Sequence, residues 1–138
     1  DLSQKVKDIV DILKKGQRQE HILHKTVKRP WGSYTVLKLG DGFKIKIVEI
    51  SPGHRLSLQL HRKRAEHWVV VEGIARVQKG RKVRLVKANE SIYIPANKPH
   101  RLENPRKIPL KIVEVQTGIY LEEDDIVRFH DDYERHKT

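Results

Sequence analysis

The sequence predicts an all-β domain, a sandwich or barrel, preceded by a short helix. Three observations predict it. From about Arg29 onward, apolar and polar residues alternate with period two, the spacing of a half-buried strand. The alternating runs are short, numerous and evenly spaced, each closed by Gly, Pro, Asn or a charged turn, as in sandwiches and barrels. Helical periodicity is confined to the start, where Leu2, Val6, Ile9, Val10 and Leu13 recur at helix spacing.

Taken in order, the first element is a helix with Ser3 as N-cap and Gly16, after Lys14-Lys15, as stop. A basic, polar stretch from Gln17 to Lys28 follows and is expected to be partly helical. Arg29-Pro30-Trp31-Gly32 ends any helix, because proline lacks an amide donor and restricts the residue before it. The expected organisation is therefore an N-terminal helix and linker over 1–28 and a compact domain over 29–138. Ser33–Leu39 and Phe43–Ile50 flank Gly40-Asp41-Gly42, a hairpin signal. Further strands are expected at Leu56–His61, Glu66–Glu72, Ile74–Lys79, Lys82–Val86, Ser91–Ile94, Arg101–Glu103 and Leu110–Gln116.

Composition narrows the function classes. At 138 residues the chain suffices for one domain with a proper core. It has no cysteine, which removes disulfides and thiolate metal ligands. No run reaches the roughly 18 apolar residues of a membrane span, and the charged, polar start does not read as a signal peptide. A cytoplasmic setting is expected. The net charge of +11 attracts anions. The basic residues are spread over the whole chain with no aromatic-interleaved run, so a phosphorylated small molecule, or surface solubility with ion pairing, accounts for the charge better than nucleic acid.

Two stretches carry the chemistry: Gly53-x5-Gln59-x-His61-x4-Glu66-x6-Gly73, and Pro95-x-Asn97-x2-His100-x3-Asn104. In Leu56–His61 the leucines share one face, and Ser57, Gln59 and His61 share the other. A short turn at Arg62–Ala65 can return Glu66 beside His61, and Glu66, Trp68 and Val70 share a face opposite His67. His100 arrives from a later strand. Gln59, His61, Glu66 and His100 could then hold one metal ion, and N/O-ligated metals of this kind polarise carbonyl and hydroxyl oxygens.

These stretches resemble the two cupin motifs, with Gln59 where many cupins carry their first histidine, and Asn89 and Asn97 where glycine is usual. The resemblance narrows with Arg29-Pro30-Trp31-Gly32, Arg64-Ala65-Glu66-His67-Trp68-Val69-Val70-Val71 and Glu90-Ser91-Ile92-Tyr93-Ile94-Pro95. His100-Arg101-Leu102-Glu103-Asn104-Pro105, Lys107-Ile108-Pro109-Leu110 and Tyr120-Leu121-Glu122-Glu123-Asp124-Asp125 extend it over nearly the whole chain. Together they are similar to the C-terminal cupin domain of type II phosphomannose isomerases, the bifunctional mannose-6-phosphate isomerase and mannose-1-phosphate guanylyltransferase enzymes. Two departures stand out: Arg62-Lys63 replaces further histidines after His61, and Tyr133-Glu134-Arg135 replaces Tyr-Gly-Arg.

The resemblance implies a cupin double-stranded β-helix, a jelly-roll barrel, with one divalent ion on Gln59, His61, Glu66 and His100: zinc, or Mn, Co or Ni. It implies interconversion of mannose 6-phosphate and fructose 6-phosphate through a cis-enediolate, feeding GDP-mannose synthesis. Lys46 and Arg128 are the catalytic candidates, Lys46 to shuttle a proton and Arg128 to grip the phosphate, with Arg64, Arg101 and Arg29 as further phosphate donors. Lys46 also reads as a solvated strand lysine, and the Glu122–Asp125 run as a solvated turn or ion-pair partner. His67 and Glu103 lie out of phase with the ligands. A homodimer is expected by analogy with cupins, and a guanylyltransferase domain is a further expected partner. Other readings stay open: a non-catalytic sugar-phosphate-binding or dimerisation module of a guanylyltransferase, or another cupin enzyme such as an epimerase or dioxygenase. The chain also reads either as an excised fragment or as a single-domain isomerase.

Overall fold

Two antiparallel sheets face each other, and the way their inward side chains are ordered decides where the site lies. The structure, a computed structural model, describes residues 2–10 and 23–135. Residues 2–10 form α1, as the periodicity predicts, with Ser3 inside the helix rather than capping it; the expected stop at Gly16 and the stretch to residue 22 lie outside the described residues. The strands are β1 (Thr26–Arg29), β2 (Gly32–Gly40), β3 (Phe43–Ile50), β4 (Leu58–Leu60), β5 (Arg64–Glu72) and β6 (Ile74–Lys79). Then come β7 (Lys82–Lys87), β8 (Ser91–Ile94), β9 (His100–Glu103), β10 (Leu110–Gly118) and β11 (Val127–His130). One sheet has the order β1-β2-β3-β10-β5-β8 and the other β11-β4-β9-β6-β7. Among the described residues no helix is long and apolar enough to cross a membrane.

Two strands depart from the sequence expectation. Thr26–Lys28, expected within a partly helical linker, instead pairs with β2 (Thr26 with Thr35, Arg29 with Gly32), so the sheet starts before Arg29. Val127–His130 adds the edge strand β11 beside β4. At the sheet crossing between β5 and β6, Gly73 has φ 86°, and a Cβ there would lie 2.6 Å from the Pro109 carbonyl oxygen, so the crossing needs glycine. Asn89 and Asn97 take φ 71° and 64°, the left-handed region that asparagine tolerates.

The inward faces of three neighbouring strands each run from apolar to polar. In β10 the buried residues are Leu110, Ile112, Glu114 and Gln116; opposite them β3 places Ile50, Val48, Lys46 and Lys44. On the other side β5 places Val70, Trp68, Glu66 and Arg64. One half of the interior is thus an apolar core of Ile50, Val70, Val77, Ile94, Leu102 and Leu110 with their neighbours. The other half is lined by charge. Buried charges persist only when paired or hydrogen-bonded, so this half must be internally satisfied or hold a ligand.

The chain then turns back across the polar end. Asp131, 3% exposed, accepts from the Arg135 amide (2.7 Å) and guanidinium (2.8 and 3.0 Å), and Tyr133 packs against the core. Glu134 between them has φ 61°. It stands where the resembled family carries glycine, and its Cβ pays a steric penalty in that conformation. We expect Glu134→Gly to raise stability by about 1 kcal/mol, read as a shift of the urea midpoint to higher concentration. An unchanged or lower midpoint would show that the turn relaxes around glutamate without strain.

Candidate metal centre and its cavity

Alternation along β4 and β5 and the entry to β9 brings His61, Glu66 and His100 together. All three are nearly inaccessible, and one ligand atom from each lies within 4.8 Å of the others. Each imidazole is fixed through Nδ1. His61 Nδ1–H donates to the Asp125 carbonyl (2.6 Å) and His100 Nδ1–H to the Lys98 carbonyl (2.8 Å). A carbonyl only accepts, so both rings carry their proton on Nδ1 and present the Nε2 lone pair inward, the second-sphere arrangement of metal-ligating histidines. His61 Nε2 lies 3.3 Å from Glu66 Oε2 and accepts from Arg64 Nη2 (3.3 Å), while His100 Nε2 is buried with no hydrogen-bond partner in the structure. Gln59 stands opposite His100 in register and lines the same cavity as His61; its Oε1 accepts from Ser57 Oγ (3.1 Å) and keeps a second lone pair.

Electrostatics favour the ligating forms. Burial, followed by the Arg64 charge, pulls His61 down to about 4, and burial lowers His100 as well, so both are neutral near pH 7. Glu66 is anchored twice: Trp68 Nε1–H reaches Oε1 (2.9 Å), and Arg64 Nε–H reaches Oε2 (2.8 Å). Two neutral imidazoles, a carboxylate and an amide oxygen, with one orphaned nitrogen aimed at the cluster, fit a divalent ion. Thiolate-seeking or oxygen-only cations fit less well.

Glu114 was invisible to sequence reasoning, because Val113 and Val115 beside it form an equally good apolar phase. It faces inward, accepts from Trp68 Nε1 (3.0 Å) and Gln116 Nε2 (3.1 Å), and is held well above the usual carboxylate range by burial and then by Glu66. Burial and the neighbouring Glu66 thus favour the protonated, uncharged form of Glu114. Glu123 is a further cavity residue that the sequence does not single out: within an acidic run expected to be a solvated turn or ion-pair partner, it pairs with Lys46. Asp125 braces the turn after His61 by accepting from the Arg62 and Lys63 amides (3.0 and 2.9 Å).

The cavity beside the cluster has about 750 Å³ of open space, its mouth included. Lys46, Arg29, Arg64 and Arg128 all line it, as does Arg135. Lys46 is not a solvated strand lysine: it is 3% exposed, bonded to Glu123, with Nζ 4.2 Å from the centre of the Tyr34 ring. Arg64 is committed to Glu66. Arg128 stands opposite Gln59 across the β4–β11 pairing, and its buried Nε has no hydrogen-bond partner. Arg101 does not join them. One residue after His100 on the same strand, it faces away, where it donates to the Leu56 carbonyl (2.8 Å) and lies 3.6 Å from Asp132. His67 and Glu103 also face outward, His67 against Tyr93 and Glu103 bonded to Arg76 (2.9 Å).

Comparison with known proteins agrees with this architecture. The family model described as mannose-6-phosphate isomerase, C-terminal, matches residues 16–131. The xanthan biosynthesis protein XanB of Xanthomonas campestris is 50% identical over 98% of this chain and 29% of its own length. The mannose-1-phosphate guanylyltransferase ManC of Salmonella typhimurium is 52% identical over 96% of this chain and 28% of its own. The chain thus spans less than a third of these curated relatives. Among solved structures, oxalate decarboxylase from Bacillus subtilis superposes with TM-score 0.69 at 16% identity, over 77% of this chain and 30% of that one. A cupin-superfamily sugar phosphate isomerase from Silicibacter pomeroyi gives 0.56 at 23% identity, over 62% and 58%. At such identities these structures speak for the fold alone, and the fold they share is the cupin barrel.

Zinc titrated calorimetrically into metal-stripped protein should bind one ion per chain. His100→Ala should weaken it by about 100-fold or more, and His67→Ala, on the outer face, should leave it unchanged. Equal binding by the His100→Ala protein would remove the cluster as the metal centre.

Proposed function

The chain belongs to the mannose-6-phosphate isomerase C-terminal family, and on that premise we propose that it is a metal-dependent aldose–ketose isomerase interconverting mannose 6-phosphate and fructose 6-phosphate. The observation that carries this reading is the buried His61–Glu66–His100 cluster beside a cavity lined by Lys46, Arg29, Arg64 and Arg128, with the buried Arg128 Nε lacking a hydrogen-bond partner. Gln59, His61, Glu66 and His100 would hold the ion, with zinc favoured by the mixed N/O set. When bound, the ion supplies a Lewis acid for sugar oxygens and for charge developing on them.

The chain's own residues do the rest. Arg128 and Arg29 are the phosphate donors, because Arg64 is engaged by Glu66 and Arg101 faces outward. Burial, then the Arg135 charge beside it, depress the Arg128 guanidinium, and the negative charge of an incoming phosphate offsets both effects. With the phosphate held there, next to Gln59 in register, the sugar's carbonyl end is directed into the cavity. Proton transfer between C2 and C1 falls to groups on the wall that hold no metal, among them Lys46.

A second reading has one observation in its favour: relatives such as ManC carry guanylyltransferase names and are more than three times as long. In that reading the barrel binds a sugar phosphate without turning it over. A coupled assay for fructose 6-phosphate formed from mannose 6-phosphate separates the two. The isomerase reading expects turnover that disappears with chelator and returns with zinc, manganese or cobalt. A folded, metal-loaded protein with no turnover favours the binding module. Arg128→Ala should raise KM for mannose 6-phosphate about tenfold or more with kcat little changed; an unchanged KM assigns Arg128 a structural role.

A further inference from the structure

We propose that Glu123 is the general base of the isomerisation and that Lys46, its ion-pair partner, is the matching acid. The inference rests on the isomerase reading and adds a residue that the sequence left in a surface turn. It starts from the segment 119–126, which crosses the polar end of the barrel between β10 and β11. Three of its backbone carbonyls are taken by buried groups of the site. Lys44 Nζ donates to Leu121 (2.6 Å), Arg64 Nη1 to Glu122 (3.4 Å) and His61 Nδ1 to Asp125 (2.6 Å). Asp125 fastens the same segment through the Arg62 and Lys63 amides, and the Tyr120 hydroxyl donates to Asp124 (2.6 Å).

A surface turn needs no such anchoring. Its effect is to fix one side chain, Glu123, at the cavity wall against buried Lys46, in the cavity that Gln59, His61 and Glu66 also line. Among the described residues that line the cavity, Glu123 is the one carboxylate outside the cluster and its hydrogen bonds, since Glu114 shares the Trp68 indole N–H with Glu66. Partial burial pushes its carboxyl up, and Lys46 outweighs that, so it stays ionised. Its side chain is 48% exposed, so a proton it accepts can exchange with water.

The proton inventory closes on these two side chains. Glu123 takes the C2 proton, the C2–H electrons become the C1–C2 double bond, and O1 receives a proton from Lys46 Nζ as the C1–O1 π bond opens. In the second half Lys46 recovers a proton from O2, the C2–O2 carbonyl forms, and the C1–C2 electrons take the proton back from Glu123 at C1. Both side chains end as they began, and no further reactant is consumed.

The test uses the metal-loaded chain with mannose 6-phosphate, with metal content and melting temperature measured alongside. Glu123→Gln keeps a hydrogen-bond acceptor for Lys46 and should lose about 10²–10⁴-fold in kcat with KM and metal content held. Glu123→Asp should recover part of the loss, and Glu122→Gln, whose side chain lies outside the cavity, should behave as wild type. In heavy water the wild type should place deuterium at C1 of fructose 6-phosphate. A Glu123→Gln protein within a few-fold of wild-type kcat overturns the assignment and leaves the isomerase reading standing. Product free of deuterium, the mark of direct hydrogen transfer, also overturns it. A loaded wild type that makes no fructose 6-phosphate removes the isomerase reading itself, and the assignment with it.

Discussion

The polar half of the barrel is arranged around one buried charge, the Glu66 carboxylate, 2% exposed. An ionised carboxylate out of water survives only with compensating partners, and removing one member of such a buried pair typically costs about 3–5 kcal/mol. Each neighbour can be read as an answer to that requirement. Trp68 turns its indole N–H onto Oε1, Arg64 places its guanidinium on Oε2, and Glu114 gives up its own ionisation. His61 and His100, kept neutral by burial, add lone pairs rather than further charge. A carboxylate and two inward lone pairs at this separation are an environment that a divalent cation completes.

The same constraint explains why the site sits at one end. Inward positions of β3, β5 and β10 change from Ile50, Val70 and Leu110 to Lys46, Glu66 and Glu114 along the same faces. The apolar half supplies the burial that stabilises the domain and holds the strands in register. The charged half spends part of that stability on a preorganised cavity, whose wall is completed by the segment 119–126 and by the turn at Asp131–Arg135. His61 and Arg64 each bind both the cluster and that segment, so the cavity wall and the cluster are mechanically one unit.

Much of this was legible in the sequence, for identifiable reasons. Strands such as Phe43–Ile50 and Ile74–Lys79 alternate cleanly and end at glycine or charged turns, so their bounds matched. Gln59, His61, Glu66 and His100 stood out because the spacing of two glycine- and proline-bounded motifs sets them where one ion could use all four. Thr26–Arg29 and Val127–His130 were not seen as strands: each is four residues long at a sheet edge, with too little alternation to register. Glu114 was hidden because Lys111–Val115 supports two apolar phases, and only pairing with β3 and β5 selects the one that buries it. Arg101 was assigned to the phosphate from resemblance, although its position next to His100 on a strand already implied the opposite face. Glu123 lay in an acidic run whose composition says solvent, and only the carbonyl contacts of its neighbours show where that run is held.

The most direct test of the central claim is the anomalous scattering of crystals grown or soaked with zinc. A single peak at coordination distance, roughly 2.0–2.2 Å, from the Nε2 atoms of His61 and His100 and from the Glu66 carboxylate is the predicted result. Zinc confined to the exposed acidic run, or absent from protein known to fold, would contradict it.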